Sequence, residues 1–403
     1  MKSGTPGFTG ERLREGREAR GLTASALASV VGVTPAAITQ YEKNLQTPRP
    51  DVMYRIAGAL RLPPKFFMSA SSRDPGVIFW RSLESATKMA RTVAERRLGW
   101  VQDMTRMLTG ALEFPAINLP SFDLPRDPLA IDDASIERLA GEVRRFWGLG
   151  EGPIANVTLM MERNGVVLAR EDLEETALDA LSKWCPDERA AYCLVSSGKD
   201  SAVRARFNVL HELGHLVLHR QLDRWHLENR KLHRLIELQA FKFAGAFALP
   251  AEPFAADVFS FSPDAFLTQK AKWKFSVGVM IKRCETLGML REETAQRLWR
   301  GLAARGWRTQ EPLDDELPHE HPQLLKQGIE HVLSGQGLAR DLVGEYFGVS
   351  TQDVEELTGI EGIEANPKLV SLLPRDSNQP PTEKRSSAGR RVVAIFDKGK
   401  SPN

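Results

Sequence analysis

The segment Arg206–His219 constrains the fold of this chain more than any other part of the sequence. His211 and His215 lie four residues apart, which is about one helical turn, so both imidazoles project from one face of a helix and can share a metal ion. Glu212 follows the first histidine and is placed to accept a proton from a metal-bound water. The other positions of this helix are largely apolar, which predicts a central place in the fold. These apolar residues are Phe207, Leu210, Leu213, Val217 and Leu218.

Two histidines do not complete a catalytic zinc site, which usually holds three protein ligands and a water. Glu237 is the predicted third ligand, because its helix has a small, apolar face that can pack closely against another helix, and a carboxylate on such a face needs a compensating charge. That face comprises Ala240, Phe241, Ala244, Gly245 and Ala248. Glu228, His226 and His233 stay open as alternative ligands. His219 is expected to support the ligands or to end the helix.

The chemistry of such a site predicts a metalloendopeptidase. A metal ion lowers the pKa of its bound water, and Glu212 is then the catalytic general base that takes the proton and returns it to the leaving amine. Zinc is the expected metal, with manganese or iron as alternatives. The predicted strand Tyr192–Ser196 precedes the motif helix, and its edge is expected to bind an extended substrate. The alternative is a pair of buried histidines that binds no metal.

A second functional signal lies in residues 8–68. Gly32 predicts a tight turn, Thr34 is a predicted N-cap and Pro35 a predicted first helical residue, which together indicate a helix-turn-helix. The second helix of such a unit enters the major groove, so its outward residues reach the bases. The predicted DNA-contacting residues are Thr34, Pro35, Ala36, Thr39, Gln40 and Lys43. Gln40 is suited to a bidentate contact with adenine.

Local charge favours the DNA interpretation of this unit. Residues 1–68 contain ten Lys/Arg and five Asp/Glu, a net charge of +5, whereas the whole chain carries only +2. A local excess of basic residues favours contact with phosphates. The alternative is a helical bundle used for protein contact or dimerisation. The same predicted core serves both interpretations: Leu22, Leu27, Val30, Ile38, Ile56, Ala57 and Leu60.

Composition and cysteine content indicate a cytoplasmic protein. The 403 residues are 42% hydrophobic and 26% charged, as in soluble globular proteins. The N-terminus lacks the apolar segment of a signal peptide, and the sequence has no uninterrupted apolar stretch long enough for a membrane span, so no membrane partner is expected. Cys185, Cys193 and Cys284 form no Cys-x-x-Cys and are expected to be reduced thiols.

Two sets of residues resemble known families. Residues 8–68 resemble the Xre/Cro-repressor helix-turn-helix family in Leu22-Thr23, Leu27-Ala28, Gly32-Val33-Thr34, Ile38, Tyr41-Glu42 and Ile56-Ala57-x-x-Leu60. The segment from Asn156 to Leu290 resembles the ImmA/IrrE metallopeptidase family in Arg206-x-x-x-x-His211-Glu212-Leu213-Gly214-His215-x-x-x-His219, in Glu237-x-x-Ala240-x-x-Phe243-Ala244 and in Leu249-Pro250.

The second resemblance implies a function. It supports Glu237 as the third ligand of a gluzincin-like, zinc-dependent enzyme, and it implies a partner transcriptional repressor as substrate, cleaved in a stress or mobile-element response. The alternative is a transcriptional regulator whose metal domain senses a metal or ligand and cuts little. The chain departs from the families at Gln239, where an acidic residue is frequent, at Phe241, where Asn is frequent, and at Ala24, where a DNA-contacting Gln is usual.

The predicted fold is mainly α with a small β-sheet (α+β). A five-helix helix-turn-helix domain (1–70) is expected to precede a helical connector (71–128) and a zincin-like metallopeptidase core with the His-Glu-x-x-His motif (129–305). A helical C-terminal module (306–373) and a disordered tail (374–403) are predicted to follow. DNA is the expected partner of the N-terminal domain, and a homodimer is an open alternative to a monomer.

Overall fold

The structure is a computed structural model that describes residues 4–70, 76–80, 87–172, 178–196, 201–335, 338–362 and 393–394. It is mainly helical with one four-stranded mixed sheet, which confirms the predicted fold class. The predicted disordered tail, apart from 393–394, lies outside the described residues. Every described helix is too short or too polar to cross a membrane.

The N-terminal unit consists of four α-helices and one 3-10 helix. These are α1 (Gly10–Ala19), α2 (Ala24–Val31), α3 (Pro35–Glu42), α4 (Pro50–Leu60) and the 3-10 helix Pro64–Met68. Gly32 ends α2 with φ 72°, a left-handed conformation that favours glycine. Thr34 caps α3, since its hydroxyl oxygen accepts a hydrogen bond from the amide of Ala37 at 3.2 Å, and Pro35 is the first helical residue. The predicted turn and cap are confirmed.

One predicted core residue of this unit is wrong. Val30 is 69% exposed, whereas Leu27, Ala28 and Val31 of the same helix are buried. The helix is only two turns long and buries a single face, and Val30 lies on the opposite side. Leu27, Ile38, Ile56 and Leu60 are fully buried, as predicted.

A mixed sheet lies at the centre of the molecule. It contains β1 (Ile78–Trp80), β3 (Val166–Glu171), β4 (Ala180–Cys185) and β5 (Ala190–Ser196), in the order β1-β4-β5-β3. β4 runs antiparallel to both β1 and β5, and β3 runs parallel to β5. A separate two-residue strand, β2 (Leu112–Glu113), pairs in parallel with β6 (Val393–Ala394).

The predicted use of the strand before the motif helix as a substrate edge is wrong. β5 lies between β4 and β3, so both of its edges are already paired. Its residues from Ala191 to Ser196 are all buried, as expected of a central strand covered on both faces. The two edges of the described sheet are β1 and β3. β1 lies within the segment that was predicted to be a helical connector.

Helices cover both faces of the sheet. The long helix α5 (Lys88–Thr109) packs against α1 and buries an apolar row that includes Leu98, Val101, Met104 and Leu108. On the other face lie α6 (Asp133–Phe146), α7 (Val157–Arg163), α8 (Ala202–Leu218), α9 (Arg224–Glu228) and α10 (Arg230–Ala248). α8 contains the motif and is buried almost throughout, between β4 and β5 on one side and α10 on the other. Its predicted central position is confirmed.

Seven further helices complete the described chain after α10. They are α11 (Ala251–Asp257), α12 (Pro263–Trp273), α13 (Val277–Thr286), α14 (Glu292–Ala304), α15 (Leu324–Gly335), α16 (Val343–Phe347) and α17 (Thr351–Thr358), with a 3-10 helix at Arg340–Leu342 between α15 and α16. The last three α-helices share one continuous hydrophobic core with the N-terminal unit, α5 and the α5 side of the sheet. The motif helix belongs to a second core on the other side.

A buried network of ion pairs connects α1, α5, β3 and α17. Arg97 of α5 is 2% exposed and contacts Asp353 of α17 and, at 2.5 Å, Glu171 of β3. Arg20, at the end of α1, donates two hydrogen bonds of 2.6 Å to the same Asp353 carboxylate. Burial alone would raise the pKa of Asp353, but its hydrogen bonds and the two arginine charges hold that pKa below its ordinary value. The carboxylate is therefore charged and shared between two units of the chain.

Candidate metal centre and DNA-binding surface

The motif helix brings its two histidines together as the spacing predicts. The Nε2 atoms of His211 and His215 lie 3.1 Å apart, and the two residues are 2% and 0% exposed. Both rings project from one side of α8 towards α10. Two nitrogens held this close in a buried site form half of a metal-binding donor set.

Glu237 of α10 supplies a carboxylate to the same point. Its Oε2 lies 3.2 Å from Nε2 of His211, and its Oε1 lies 3.2 Å from Nε2 of His215. Burial alone would raise the pKa of Glu237, but the two histidines outweigh burial and hold it well below its ordinary value. Glu237, the third ligand predicted from the sequence, thus lies beside both imidazoles.

Small residues let α8 and α10 approach closely enough for this contact. A Cβ atom added to Gly214 of α8 would lie 3.0 Å from the Cα and the carbonyl oxygen of Ala240. Such a distance is tighter than ordinary van der Waals contact, so glycine is needed where the helices cross. Ala240 lies one turn after Glu237 and is fully buried. Of the small face predicted for α10, Ala240 and Phe241 contact the motif helix, whereas a Cβ atom on Gly245 would meet nothing within 4 Å.

The three donor groups fit a tetrahedral metal ion. Within the described residues they form a cluster whose ligand atoms all lie within 4.8 Å of one another. Ligands at about 2.0–2.2 Å from zinc, held at tetrahedral angles, lie roughly 3.3–3.6 Å apart. The observed separations of 3.1–3.2 Å are close to that spacing. Two neutral imidazoles and one carboxylate form a donor set typical of catalytic zinc.

The alternative third ligands do not reach this cluster. The Glu228 side chain is 67% exposed and pairs with Arg224. The Nδ1 atom of His226 accepts a hydrogen bond from the amide of Asp223 and so caps α9. His233 is nearest, with its Nε2 atom 3.8 Å from Oε1 of Glu237. It lies one turn before Glu237 on the same helix, beside the carboxylate rather than between the imidazoles.

A hydrogen-bond chain behind the metal centre assigns the tautomer of His215. The Gln239 amide nitrogen donates to the carbonyl oxygens of Pro128 and Ile131 at 2.7 and 3.0 Å, so its oxygen faces His219 and accepts from Nε2 at 3.2 Å. The unprotonated Nδ1 of His219 then accepts from Nδ1–H of His215 at 3.1 Å. Nε2 of His215 is therefore left with a free electron pair, as a metal ligand needs.

Glu212 lies on the β5 side of α8 and is fully buried. Burial and, after it, the negative charge of Glu212 raise the pKa of the Cys193 thiol on β5, so the carboxylate lies within electrostatic reach of that strand. Glu212 directly follows His211 in α8, and its role as a general base stays a prediction.

The predicted DNA-contacting residues form the outward face of α3 and its ends. Ile38, on the opposite face, is fully buried and anchors the helix. Thr34, Pro35, Ala36, Thr39 and Lys43 are exposed, and Gln40 is half-buried. The surface is therefore available to a duplex, and the first turn of α3 is its most accessible part.

Several basic residues of the N-terminal unit are already used inside the protein. Arg12 pairs with Glu15 and Asp103, Arg17 pairs with Glu42, and Arg20 binds the carboxylate on α17 described above. Glu15 and Glu42 are already subtracted in the local charge of +5, so of these contacts only those with Asp103 and Asp353, which lie outside residues 1–68, reduce it further. Lys43, in contrast, is exposed at the end of α3.

The fold and the site define a helix-turn-helix protein that also carries a metallopeptidase-like domain. Comparison with protein families supports both parts. Residues 13–67 match the family model described as helix-turn-helix, and residues 161–285 match the model of the M78 peptidase family described as IrrE N-terminal-like domain. These matches confirm the predicted resemblances and their order along the chain. Among curated protein sequences, none matches this chain.

Proposed function

We propose that this chain is a DNA-binding, metal-dependent endopeptidase of the cytoplasm. The observation that carries the proposal is the convergence of His211, His215 and Glu237 at 3.1–3.2 Å, with Glu212 one residue from the first imidazole. A partner transcriptional repressor, cleaved in a stress or mobile-element response, is the proposed substrate. The exposed face of α3 is the proposed contact with DNA.

The residues have separate tasks in this proposal. His211 and His215 bind zinc through Nε2, Glu237 binds it through a carboxylate oxygen, and the bound zinc supplies Lewis-acid activation of water and of a peptide carbonyl. Glu212 accepts the proton of the attacking water and holds it at its carboxylate. The same residue delivers that proton to the nitrogen of the leaving amine. His219 and Gln239 keep the His215 ring in the ligating tautomer.

Metal content is the first experiment. Full-length wild type and a Glu237→Ala variant, each equilibrated with zinc and dialysed, are compared by atomic spectroscopy. We expect about one zinc per chain in the wild type and a strong reduction in the variant. Glu228→Ala is the matched control, because that exposed carboxylate lies away from the imidazoles and its loss leaves zinc content unchanged. Equal zinc in Glu237→Ala and wild type would remove the basis of the proposal.

Hydrolysis is tested separately with Glu212→Gln. This variant keeps the shape of the side chain and all three proposed ligands, so we expect normal zinc content together with complete loss of cleavage. If a neighbouring gene encodes a small repressor, that repressor is the substrate to try first, incubated with full-length protein and analysed by mass spectrometry. Cleavage by Glu212→Gln at the wild-type rate would refute the general-base assignment.

DNA binding is tested on the promoter of the chain's own gene by gel shift. We expect a Gln40→Ala, Lys43→Ala double variant to bind more weakly than the wild type, since it removes one base contact and one phosphate contact. Lys65→Ala is the control, an exposed cation on the 3-10 helix after α4. A wild type that produces no shift would contradict the DNA role.

A second candidate function is a regulator whose metal domain acts as a sensor and cuts little. The observation that favours it is the pairing of β4 with β1, which covers the sheet edge beside the motif helix. The intact Glu212 favours hydrolysis. The Glu212→Gln comparison therefore decides between the two candidates.

A further inference from the structure

The strand β1 reaches the metallopeptidase-like domain from outside it. Residues 78–80 lie between the two family matches, 13–67 and 161–285, yet they form a strand of the domain's sheet. Ile78 pairs with Lys183, Phe79 with Ser182 and Trp80 with Leu181, all antiparallel. Without this segment, β4 would be an open sheet edge beside the motif helix, with backbone groups available to an incoming peptide.

The register places Phe79 on the same side of the sheet as the metal centre. Directly paired residues of neighbouring strands project from the same face. Phe79 pairs with Ser182, and Ser182 pairs with Cys193, which lies within electrostatic reach of Glu212. The row that crosses the sheet from Phe79 therefore faces α8.

The Phe79 ring fills a pocket against the candidate metal ligands. It is fully buried and stacks on the His215 ring with centroids 5.0 Å apart and an interplanar angle of 11°. Its centroid also lies 6.1 Å from that of the His219 ring, with the two rings tilted by 38°. Leu222, Leu227 and Ile236 complete the apolar wall, and Ile236 precedes Glu237 directly. An aromatic side chain is thus bound on the far face of one proposed ligand.

The neighbours of Phe79 on β1 are oriented differently. Ile78 and Trp80 are only half-buried and lie against the hydrophobic core on the α5 side of the sheet. β1 therefore has the form of an extended peptide on a sheet edge, in which backbone pairing gives general affinity and one side chain in a pocket gives selectivity.

We propose that the β4 edge and the Phe79 pocket form the peptide-binding subsite of the metallopeptidase-like domain, and that residues 76–80 of this chain occupy it as an intramolecular competitor. The subsite takes an extended polypeptide that places an aromatic side chain over His215. A substrate gains access by displacing β1. The assignment of the subsite to a peptidase rests on the proposed function, but the competition is measured as binding and needs no cleavage.

The first test uses a fluorescein-labelled peptide, Gly-Val-Ile-Phe-Trp, with solubilising lysines, titrated with full-length protein that carries Glu212→Gln. Fluorescence anisotropy reports binding. A second protein carries Phe79→Ala in addition to Glu212→Gln, which empties the pocket and weakens β1. We expect this double variant to bind the labelled peptide at least tenfold more tightly than the parent, which carries Glu212→Gln alone. Val30→Ala is the control, because it truncates an exposed apolar side chain away from β1, and its affinity should stay near that of the parent.

A disulfide lock tests the same competition if Phe79→Ala fails to fold. Ile78→Cys and Lys183→Cys place thiols on directly paired residues, where Cβ atoms are close enough for a bridge after a small adjustment. We expect the oxidised protein to lose peptide binding at least tenfold and the reduced protein to regain it. A peptide with Ser in place of Phe should bind weakly throughout.

The outcomes separate this inference from the proposed function. Equal peptide binding by the oxidised and reduced proteins, or binding by none of the variants, overturns the inference. Zinc content measured on the same samples tests the proposed function independently. A chain that binds no zinc but shows the peptide competition would refute the proposed peptidase and support the subsite. A chain that binds zinc but whose peptide affinity does not change when β1 is altered would support the peptidase and refute the subsite.

Discussion

Gln239 offers the sharpest test of how the candidate metal centre is built. Its amide group accepts from His219 at 3.2 Å and donates to two buried backbone carbonyls at 2.7 and 3.0 Å. One side chain therefore has two separable tasks, setting the tautomer of His215 and joining α10 to the segment before α6. Gln239→Leu removes both tasks, and Gln239→Glu keeps an acceptor for His219.

The two tasks predict effects of different kinds. Loss of a partner behind a metal-ligating histidine typically weakens metal affinity by 10- to 100-fold, or about 1.4–2.7 kcal/mol. Loss of the donor to two buried carbonyls costs about 1–3 kcal/mol of folding stability for each, or roughly 2–6 kcal/mol in total. Gln239→Leu should therefore show both losses. Gln239→Glu should lose stability, since its carboxyl group can donate to at most one carbonyl, yet keep zinc affinity near the wild-type value.

The assays measure the two quantities independently. Competition with a chromophoric chelator gives the zinc affinity of each full-length protein, and urea unfolding of the metal-free forms gives the stability. Equal zinc affinity of Gln239→Leu and wild type would refute the relay. Parallel losses of zinc affinity in the Leu and Glu variants would show that Gln239 acts only through packing.

Three further predictions concern packing, charge and pH. Gly214→Ala should weaken zinc binding severalfold in a calorimetric titration, because its Cβ atom would lie 3.0 Å from the α10 backbone. Gly245→Ala is the control and should leave zinc affinity unchanged, because its Cβ atom meets nothing within 4 Å. Equal zinc affinities of the two variants would contradict the close-packing explanation. Asp353→Asn should lower the free energy of unfolding by about 3–5 kcal/mol, because it leaves a buried arginine poorly compensated. Glu356→Gln, at the exposed end of the same network, should cost about 1 kcal/mol or less, and similar losses in both would refute the burial argument. Burial raises the pKa of Glu162 to about 7, so the folded state binds this proton more tightly than the unfolded state. The free energy of unfolding of the wild type should therefore fall by up to about 3 kcal/mol, relative to that of Glu162→Gln, as pH rises from about 4.5 to 7. Parallel stability curves for the two proteins would contradict this shift.

Local patterns in the sequence predicted much of the candidate site. Spacing along one helix determines where His211 and His215 point, and this depends only on residues within one turn. Glu237 was predictable because a carboxylate stands out on a small, apolar helix face. Thr34 and Pro35 follow capping rules that are equally local.

Long-range pairing explains most of what the sequence did not reveal. β1 is three residues long, and its partner β4 lies about a hundred residues later, so neither periodicity nor turn chemistry indicates the contact. The interior position of β5 had a signal in its nearly continuous apolar run, which is typical of a central strand. The role of Gln239 depends on carbonyls more than a hundred residues away.

The shared carboxylate of Asp353 also has a geometric consequence. Arg20 of α1 and Arg97 of α5 both bind it, and Arg97 also contacts Glu171 of β3, so one charged network joins the helix-turn-helix unit, α17 and the sheet on which the motif helix packs. If the proposed function is correct, a molecule bound to its operator holds the cleft with the candidate metal ligands at a fixed distance and angle from the double helix. Polypeptides brought to that spot by the same stretch of promoter are then hydrolysed in preference to those that diffuse freely. The operator sequence would thus help to determine which protein is cleaved.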